Sequence, residues 1–283
     1  MNSMQVKWLL EPEVFDEDEV SVIAALKKLN VPHVVCKFGR DYASYIKDFA
    51  EEDCVVFHGS FQFAREIEQN AKWIPGVYCN KQKLDCLYYY PRLGDFLLNS
   101  HYMMLPFGEL NRRKNDLFDF AEQSYKPGRK DCVFIRPSSG LKSFTGKVVM
   151  EDDWHKDIRL MGFYDVPPEA LVVAATVYEI LNEWRTIVVE GKVIASALYK
   201  KGDSFVRVPG APRDVVLYAQ RVVDETKFDP DAAWTLDICE TANKELKVLE
   251  VGSLSCAGFY GANAELIIPA VNAVALKEWE SYQ

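Results

Sequence analysis

The chain has 283 residues, of which 33 are basic and 42 acidic, so its formal net charge is −9. This acidic surplus argues against a protein that binds nucleic acid by general attraction to phosphates, although a local basic cleft is still allowed. The hydrophobic fraction of 49% and the charged fraction of 27% are those of an ordinary globular protein, and the length allows two domains.

No apolar run of the sequence approaches the ~20 residues that a membrane helix needs. The first residues lack the basic start, the apolar segment and the cleavage site of a signal peptide. We therefore expect a cytoplasmic protein with no membrane partner.

The first part of the chain alternates strand and helix patterns, which predicts a small parallel sheet. Strands are expected at 5–10, 32–38, 53–59, 73–80 and 102–107, and helices at 17–30, 60–71, 83–99 and 108–124. Proline, glycine and charged residues cluster at 124–131, so this stretch is the expected linker between an α/β domain (1–124) and a second domain (125–283).

After the expected linker, strand candidates come in pairs joined by turn residues, which predicts antiparallel hairpins and an α+β domain. The expected hairpins join 132–137 to 145–150, 171–181 to 184–199, and 233–240 to 246–252, and helices are expected at 152–161, 213–226 and 265–280.

The cysteines are odd in number and form no CxxC pair, so reduced and mostly buried thiols are expected. Their positions are 36, 54, 79, 86, 132, 239 and 256. The four histidines are scattered without the spacing of zinc ligands, which argues against a zinc site.

A basic segment at 133–149 carries Arg136, Lys142 and Lys147 around small residues. A P-loop does not fit, because five residues separate Gly140 from Gly146 and a strand pattern follows Lys147 where a helix should begin. A lysine nucleotidyl-transfer site does not fit either, since no KxDG box is present. A flexible flap over phosphates fits, because small residues let backbone N–H groups approach phosphate oxygens. A solvated basic hairpin remains the alternative.

The segment 176–200 carries Glu179, Glu183 and Arg185 between two apolar stretches. A strand that leads into a short connection would place backbone groups against an adenine edge and a carboxylate against ribose hydroxyls. Arg185 would then point to the phosphates. An amphipathic sheet with exposed charges is the alternative.

A third hairpin, within 234–263, carries Asp237 and Glu250 on its two arms, with a turn at 241–244. Acidic residues inside apolar arms are costly without a partner or a metal. Paired carboxylates beside a triphosphate are ligands that Mg²⁺ prefers. The hairpin therefore predicts a magnesium site.

Taken together, the motifs FIRP…K.F.GK, EWR and WTLD…LEV…GFY resemble the C-terminal two-thirds of ATP-grasp enzymes over about residues 131–263. The order is most similar to a clade with an arginine and two lysines in the flap, which includes phage and bacterial proteins and a eukaryotic translation-initiation assembly factor. The resemblance implies an α+β ATP-grasp domain with lobes at about 131–175 and 176–283 that clasp ATP, preceded by an α/β pre-ATP-grasp domain.

The resemblance also implies ATP and Mg²⁺ as cofactors and assigns a role to each matching position. The implied phosphate-binding and catalytic residues are Arg136, Lys142, Lys147 and Arg185, the implied adenine and ribose contacts are Tyr178, Glu179, Ile180 and Glu183, and the implied metal ligands are Asp237 and Glu250.

One position departs from the family pattern. The usual E-x-N is here Glu250-Val251-Gly252, so the asparagine that bridges metal and phosphate is missing. The expected activity is an ATP-dependent carboxylate–amine ligase that acts through an acylphosphate on small-molecule, peptide or protein substrates. A non-catalytic ATP-binding assembly factor remains the alternative, and a purely structural protein is the third class.

Overall fold

The computed structural model of the chain describes residues 4–282 apart from 16, 38, 40, 125–130, 142 and 164. It divides into two compact units. The first unit joins residues 1–80, 180–240 and 244–283, and the second joins 81–179 and 241–243. Lys142 and most of the expected linker lie outside the described residues, so the domain boundary at 124/125 stays a prediction.

A four-stranded parallel sheet forms the N-terminal part of the first unit, as the strand–helix alternation predicts. Its spatial order is β2-β1-β3-β4. The strands are β1 (Lys7–Leu10), β2 (His33–Val35), β3 (Cys54–His58) and β4 (Ile74–Gly76), and the helices are α1 (Glu17–Lys28), α2 (Tyr42–Lys47) and α3 (Phe61–Asn70). Every residue of β3 is buried, as expected for an inner strand of a parallel sheet. Helix α2 has no counterpart in the sequence-based expectation.

The second unit contains a four-stranded antiparallel sheet of order β5-β8-β6-β7. Its strands are β5 (Tyr102–Pro106), β6 (Cys132–Pro137), β7 (Lys147–Met150) and β8 (Leu171–Ala175), and its helices are α4 (Cys86–Leu93), α5 (Lys114–Ser124) and α6 (Trp154–Gly162). The expected pairing of 132–137 with 145–150 is confirmed by β6 and β7. We call residues 132–150 the basic hairpin.

A five-stranded sheet of order β11-β10-β9-β12-β13 completes the first unit. Its strands are β9 (Ile180–Val189), β10 (Lys192–Lys201), β11 (Ser204–Pro209), β12 (Ala233–Thr241) and β13 (Leu246–Ser253), and its helices are α7 (Arg213–Thr226) and α8 (Ala264–Ser281). Strands β12 and β13 form the expected antiparallel hairpin, residues 233–253, which we call the carboxylate hairpin. Its turn residues 241–243 group with the second unit.

Both sheets of the first unit share one apolar core with α8. Val56 of the parallel sheet, Ile187 of the five-stranded sheet and Ile267 of α8 are all fully buried in this core. The Trp8 indole N–H also donates to Asn272 Oδ1 of α8 at 2.8 Å. Burial on this scale provides most of the free energy that holds the sheets in place.

The expected hairpin between 171–181 and 184–199 is wrong. Strand β8 ends at Ala175 and pairs with β5 and β6, whereas β9 begins at Ile180 and pairs with β10. The two strands belong to different sheets, and the apolar sequence between them contains no glycine or proline to mark the change. The β9–β10 turn lies instead at Glu190-Gly191, with φ angles of 47° and 71° that suit a tight hairpin. Strand β11 also lies in a stretch expected to be a loop.

Candidate functional site

A buried ion pair joins β9 to the carboxylate hairpin. Arg185 Nε donates to Asp237 Oδ1 at 2.9 Å, and Arg185 Nη2 donates to Asp237 Oδ2 at 2.7 Å. The two side chains are only 7% and 3% exposed. This two-pronged geometry is the strongest form of arginine–carboxylate contact, and it fixes the direction of both side chains.

The rest of the Arg185 guanidinium is also occupied. Its Nη1 donates to the Gly258 carbonyl at 2.8 Å, and the Tyr260 ring centroid lies 4.5 Å from its central carbon. Burial acts to lower the pKa of Arg185, but the Asp237 carboxylate outweighs this effect and the pKa is raised. The cation is therefore permanent, and its contacts hold the loop after β13.

Glu183 lies on the same strand and is buried with two donors. The Tyr199 hydroxyl donates to Glu183 Oε2 at 2.6 Å, and Lys200 Nζ donates to Oε1 at 2.9 Å. Burial, together with the charges of Asp237 and Glu183, raises the pKa of Tyr199 well above its usual value, so this hydroxyl remains a donor at neutral pH. Tyr199 stacks on Tyr260 with ring centroids 4.8 Å apart, which links Glu183 to the ion pair.

Glu250 lies directly opposite Asp237 in the ladder of the carboxylate hairpin, and the register shifts immediately after Asp237. Residues directly opposite in an antiparallel ladder share one face, so the two carboxylates lie on the same side of the sheet. Asp237 retains acceptor positions after its bonds to Arg185, because an ionised carboxylate has about four lone-pair sites. Both side chains therefore fit as oxygen ligands of one Mg²⁺.

No cluster of three or more histidine, cysteine, aspartate or glutamate side chains suited to a metal occurs among the described residues. Two protein carboxylates with substrate phosphates and water are nevertheless a common ligand set for Mg²⁺. The arrangement on β12 and β13 is of this kind.

Thr235 explains how the hairpin accommodates the missing asparagine. It lies opposite Gly252, two residues from Asp237 on the same face. A Cβ atom at Gly252 would lie 2.6 Å from Thr235 Oγ1, so the hydroxyl fills the space where a side chain at 252 would begin. Thr235 is fully buried, and Oγ1 has no hydrogen-bond partner within the described part of the chain. The sequence motif alone did not reveal this substitution of one side chain for another.

The basic hairpin does not gather its described cations on one face. Arg136 is buried on β6, and Lys147 begins β7 opposite Ile135. Because neighbours along a strand point to opposite faces, Arg136 and Lys147 lie on different sides of the sheet. Lys147 Nζ pairs with Asp157 Oδ1 of α6 at 2.6 Å, and its side chain is 48% exposed.

The proposed adenine hinge lies where β9 begins. Tyr178 and Glu179 belong to the connection before the strand, and Ile180 is its first residue. The Glu179 carbonyl accepts a hydrogen bond from the Ala242 N–H at 3.0 Å, and the Glu179 side chain is exposed. The connection therefore has a fixed backbone and an exposed carboxylate.

Comparison with protein families gives a match over residues 111–269, more than half of the chain, to a model of the ATP-grasp domain. The model describes family 2 of the clade that is named for one arginine and two lysines. The comparison with curated proteins gives no match. Within the described residues, none of the helices combines the length and the apolar composition needed to cross a bilayer.

Solved structures share the fold over nearly the whole chain. D-alanine–D-alanine ligase from Bacillus anthracis is 14% identical and has a TM-score of 0.63, with 99% of this chain and 100% of that chain covered. D-cycloserine synthetase DcsG is 14% identical and has a TM-score of 0.62, with 95% and 99% covered. N5-carboxyaminoimidazole synthetase from Staphylococcus aureus is 11% identical and has a TM-score of 0.60, with 95% and 77% covered.

At these identities the likeness to solved structures shows the fold alone, and that fold is the expected one. The family match confirms the expected clade, the ligase class and the use of ATP with Mg²⁺. The relation to the eukaryotic assembly factor stays a prediction, as do the roles of the individual site residues.

Proposed function

The chain belongs to family 2 of the ATP-grasp clade with one arginine and two lysines, and we propose that it joins a carboxylate to an amine through an acylphosphate. In this reaction a substrate carboxylate oxygen attacks the γ-phosphorus of ATP and ADP leaves. The amine then attacks the acyl carbon, and phosphate leaves. The observation that carries the proposal is the pair of facing carboxylates, Asp237 and Glu250, with Asp237 fixed by Arg185.

Asp237 and Glu250 would hold Mg²⁺, which when bound offsets phosphate charge and orients the γ-phosphoryl group. The three contacts of Arg185 support a positioning role: the guanidinium holds the Asp237 carboxylate and the Gly258 carbonyl. Positioning of this kind matters in phosphoryl transfer, because the protein contributes geometry and charge rather than covalent chemistry.

The nucleotide contacts follow from the same assignment. We assign Arg136, Lys142 and Lys147 to the phosphates, where mobile cations offset the developing charge. Lys147 would exchange Asp157 for a phosphate oxygen when the nucleotide binds.

The base and the ribose would meet the start of β9. Tyr178, Glu179 and Ile180 are assigned to the adenine. Glu183 is assigned to the ribose hydroxyls, since its oxygens keep acceptor capacity beside Tyr199 and Lys200.

Hydroxylamine trapping tests the reaction because hydroxylamine takes the place of the amine substrate. The purified chain is incubated with Mg-ATP, hydroxylamine and a panel of amino acids, hydroxy acids and short peptides, and hydroxamate and ADP are measured. Hydroxamate that forms in step with ADP supports the proposal. Glu250→Gln is expected to abolish both products, whereas Glu245→Gln, an exposed glutamate near the turn of the same hairpin, is expected to retain them.

A non-catalytic ATP-binding factor is the second candidate, and the fit between Thr235 and Gly252 favours it, because no asparagine is available there to bridge metal and phosphate. Binding of Mg-ATP with no ADP or hydroxamate across the panel would support this alternative and reject the ligase.

A further inference from the structure

Two segments that the proposed ligase does not use lie side by side in the first unit. One follows β4 and the other follows β13. The Tyr78 N–H donates to Ser255 Oγ at 2.9 Å, and the Ser255 N–H donates to the Tyr78 carbonyl at 3.3 Å. These bonds hold the next residue of each segment, Cys79 and Cys256, next to one another.

The two thiols are in hydrogen-bond contact with each other and with the Ser253 side chain. Ser253 Oγ also accepts the Cys256 N–H at 2.8 Å, which fixes the backbone of the second cysteine. Cys79 is 4% exposed and Cys256 is partly exposed. A small oxidant can therefore reach the pair from the Cys256 side.

The contact separates the two thiols chemically. The hydrogen bond from Cys256 lowers the pKa of Cys79, although burial opposes this, and the same bond with burial raises the pKa of Cys256. By contrast, burial raises the pKa of Cys54 to about 12. Since the thiolate is the reactive form, Cys79 is activated relative to a cysteine that is simply buried.

We propose that Cys79 and Cys256 form a redox-active pair that a hydroperoxide converts into a reversible disulfide. The Cys79 thiolate attacks one peroxide oxygen, the O–O bond breaks, and a sulfenic acid forms with release of hydroxide, or water after protonation. Cys256 sulfur then attacks the Cys79 sulfur. An S–S bond forms, and the sulfenic hydroxyl leaves as a second water with the Cys256 proton. Two thiols are oxidised by two electrons, and one peroxide is reduced to two waters.

The site has a direct structural consequence. Cys256 precedes by two residues the Gly258 carbonyl that accepts from Arg185. A covalent link to Cys79 would tie this loop to the end of β4. The proposal requires no nucleotide and does not depend on the ligase activity.

Peptide mapping of the oxidised wild-type chain tests the proposal directly. The folded protein is treated with hydrogen peroxide, remaining thiols are alkylated, and trypsin is added without reductant. Cleavage after lysine gives peptides 73–81 and 248–277, each with a single cysteine. We expect a linked 73–81/248–277 species, a mass loss of about 2 Da for the intact chain because two hydrogens leave, and recovery of both free peptides after dithiothreitol.

Matched variants sharpen the result. Cys256→Ser removes the resolving thiol, so peroxide should leave Cys79 as a sulfenic or more oxidised acid. Cys239→Ala removes a buried cysteine whose pKa is raised by burial and should leave the link intact. The proposal is overturned if both cysteines stay alkylatable while other cysteines are oxidised, or if the link forms only after the chain is unfolded.

Discussion

The carboxylate hairpin and the basic hairpin hold their charges in opposite ways. In the first, Asp237 is 3% exposed and is gripped by two nitrogens of Arg185. In the second, Lys147 is 48% exposed and has one described salt bridge, to Asp157. One hairpin presents a preformed carboxylate, and the other presents a cation that can change partners.

The energies of the two arrangements differ accordingly. Removing one partner of a buried pair costs about 3–5 kcal/mol, because the remaining charge stays in a low-dielectric interior. An exposed pair contributes about 0–1 kcal/mol. We therefore expect substitutions in the carboxylate hairpin to lower stability, and substitutions in the basic hairpin to change mainly nucleotide affinity.

The largest expected effect is that of Asp237→Ala. It leaves the Arg185 guanidinium buried without its carboxylate and should lower the free energy of unfolding by about 3–5 kcal/mol in urea titration. The double variant Arg185→Met/Asp237→Leu, which removes both charges, should lose less than the single one. A single variant within about 1 kcal/mol of wild type, the range of an exposed pair, would show that the pair is not held as described.

Restoring the family asparagine should be harmful. Gly252→Asn places a Cβ atom 2.6 Å from Thr235 Oγ1, so we expect a loss of about 1–3 kcal/mol from overpacking. Thr235→Ala removes that oxygen, and the Thr235 Cβ lies 4.0 Å from the same point, so the double variant should recover stability. Equal unfolding midpoints for Gly252→Asn with and without Thr235→Ala would contradict this account.

Tyr199→Phe should cost about 1.5 kcal/mol, since it removes a hydrogen bond to the buried Glu183 carboxylate. The pKa of Tyr199 is raised in the folded chain, so its contribution is complete below the unfolded value near 10 and is lost as the pH rises above it. The variant should therefore lose less stability than wild type in alkaline unfolding curves above about pH 10. Parallel curves would argue against a buried Tyr199 hydroxyl.

The basic hairpin should show the smallest changes in stability and opposite changes in affinity. Lys147→Met is expected to weaken Mg-ATP binding about fivefold, because a charged donor to phosphate is lost. Asp157→Asn releases Lys147 and should strengthen it. Lys156→Met, which removes an exposed lysine paired with Asp153, serves as the control in calorimetric titration. Weaker binding in both the Lys147 and the Asp157 variants would mean that the salt bridge itself, and not the freed cation, supports the site.

The sequence predicts the local features of both hairpins. Acidic residues within apolar arms indicate that Asp237 and Glu250 face one another, and the ladder places them opposite. The Glu190-Gly191 turn is predictable as well, because both residues suit a positive φ.

The rest depends on contacts between distant parts of the chain. Arg185 reaches Asp237 because β9 lies beside β12, and this neighbourhood is set by packing and not by local pattern. The same reason explains why β8 and β9 could not be assigned to different sheets. The fit of Thr235 against Gly252 and the contact of Cys79 with Cys256 also require the folded chain.

The most direct test of the magnesium assignment is the thermal midpoint with and without Mg-ATP for wild type, Glu250→Gln and Glu245→Gln. A ligand that binds the native state raises stability. We predict an upward shift for wild type and Glu245→Gln that requires Mg²⁺ and is largely lost in Glu250→Gln. An equal shift in all three proteins, or no shift in any, would contradict the assignment of Asp237 and Glu250 to the metal.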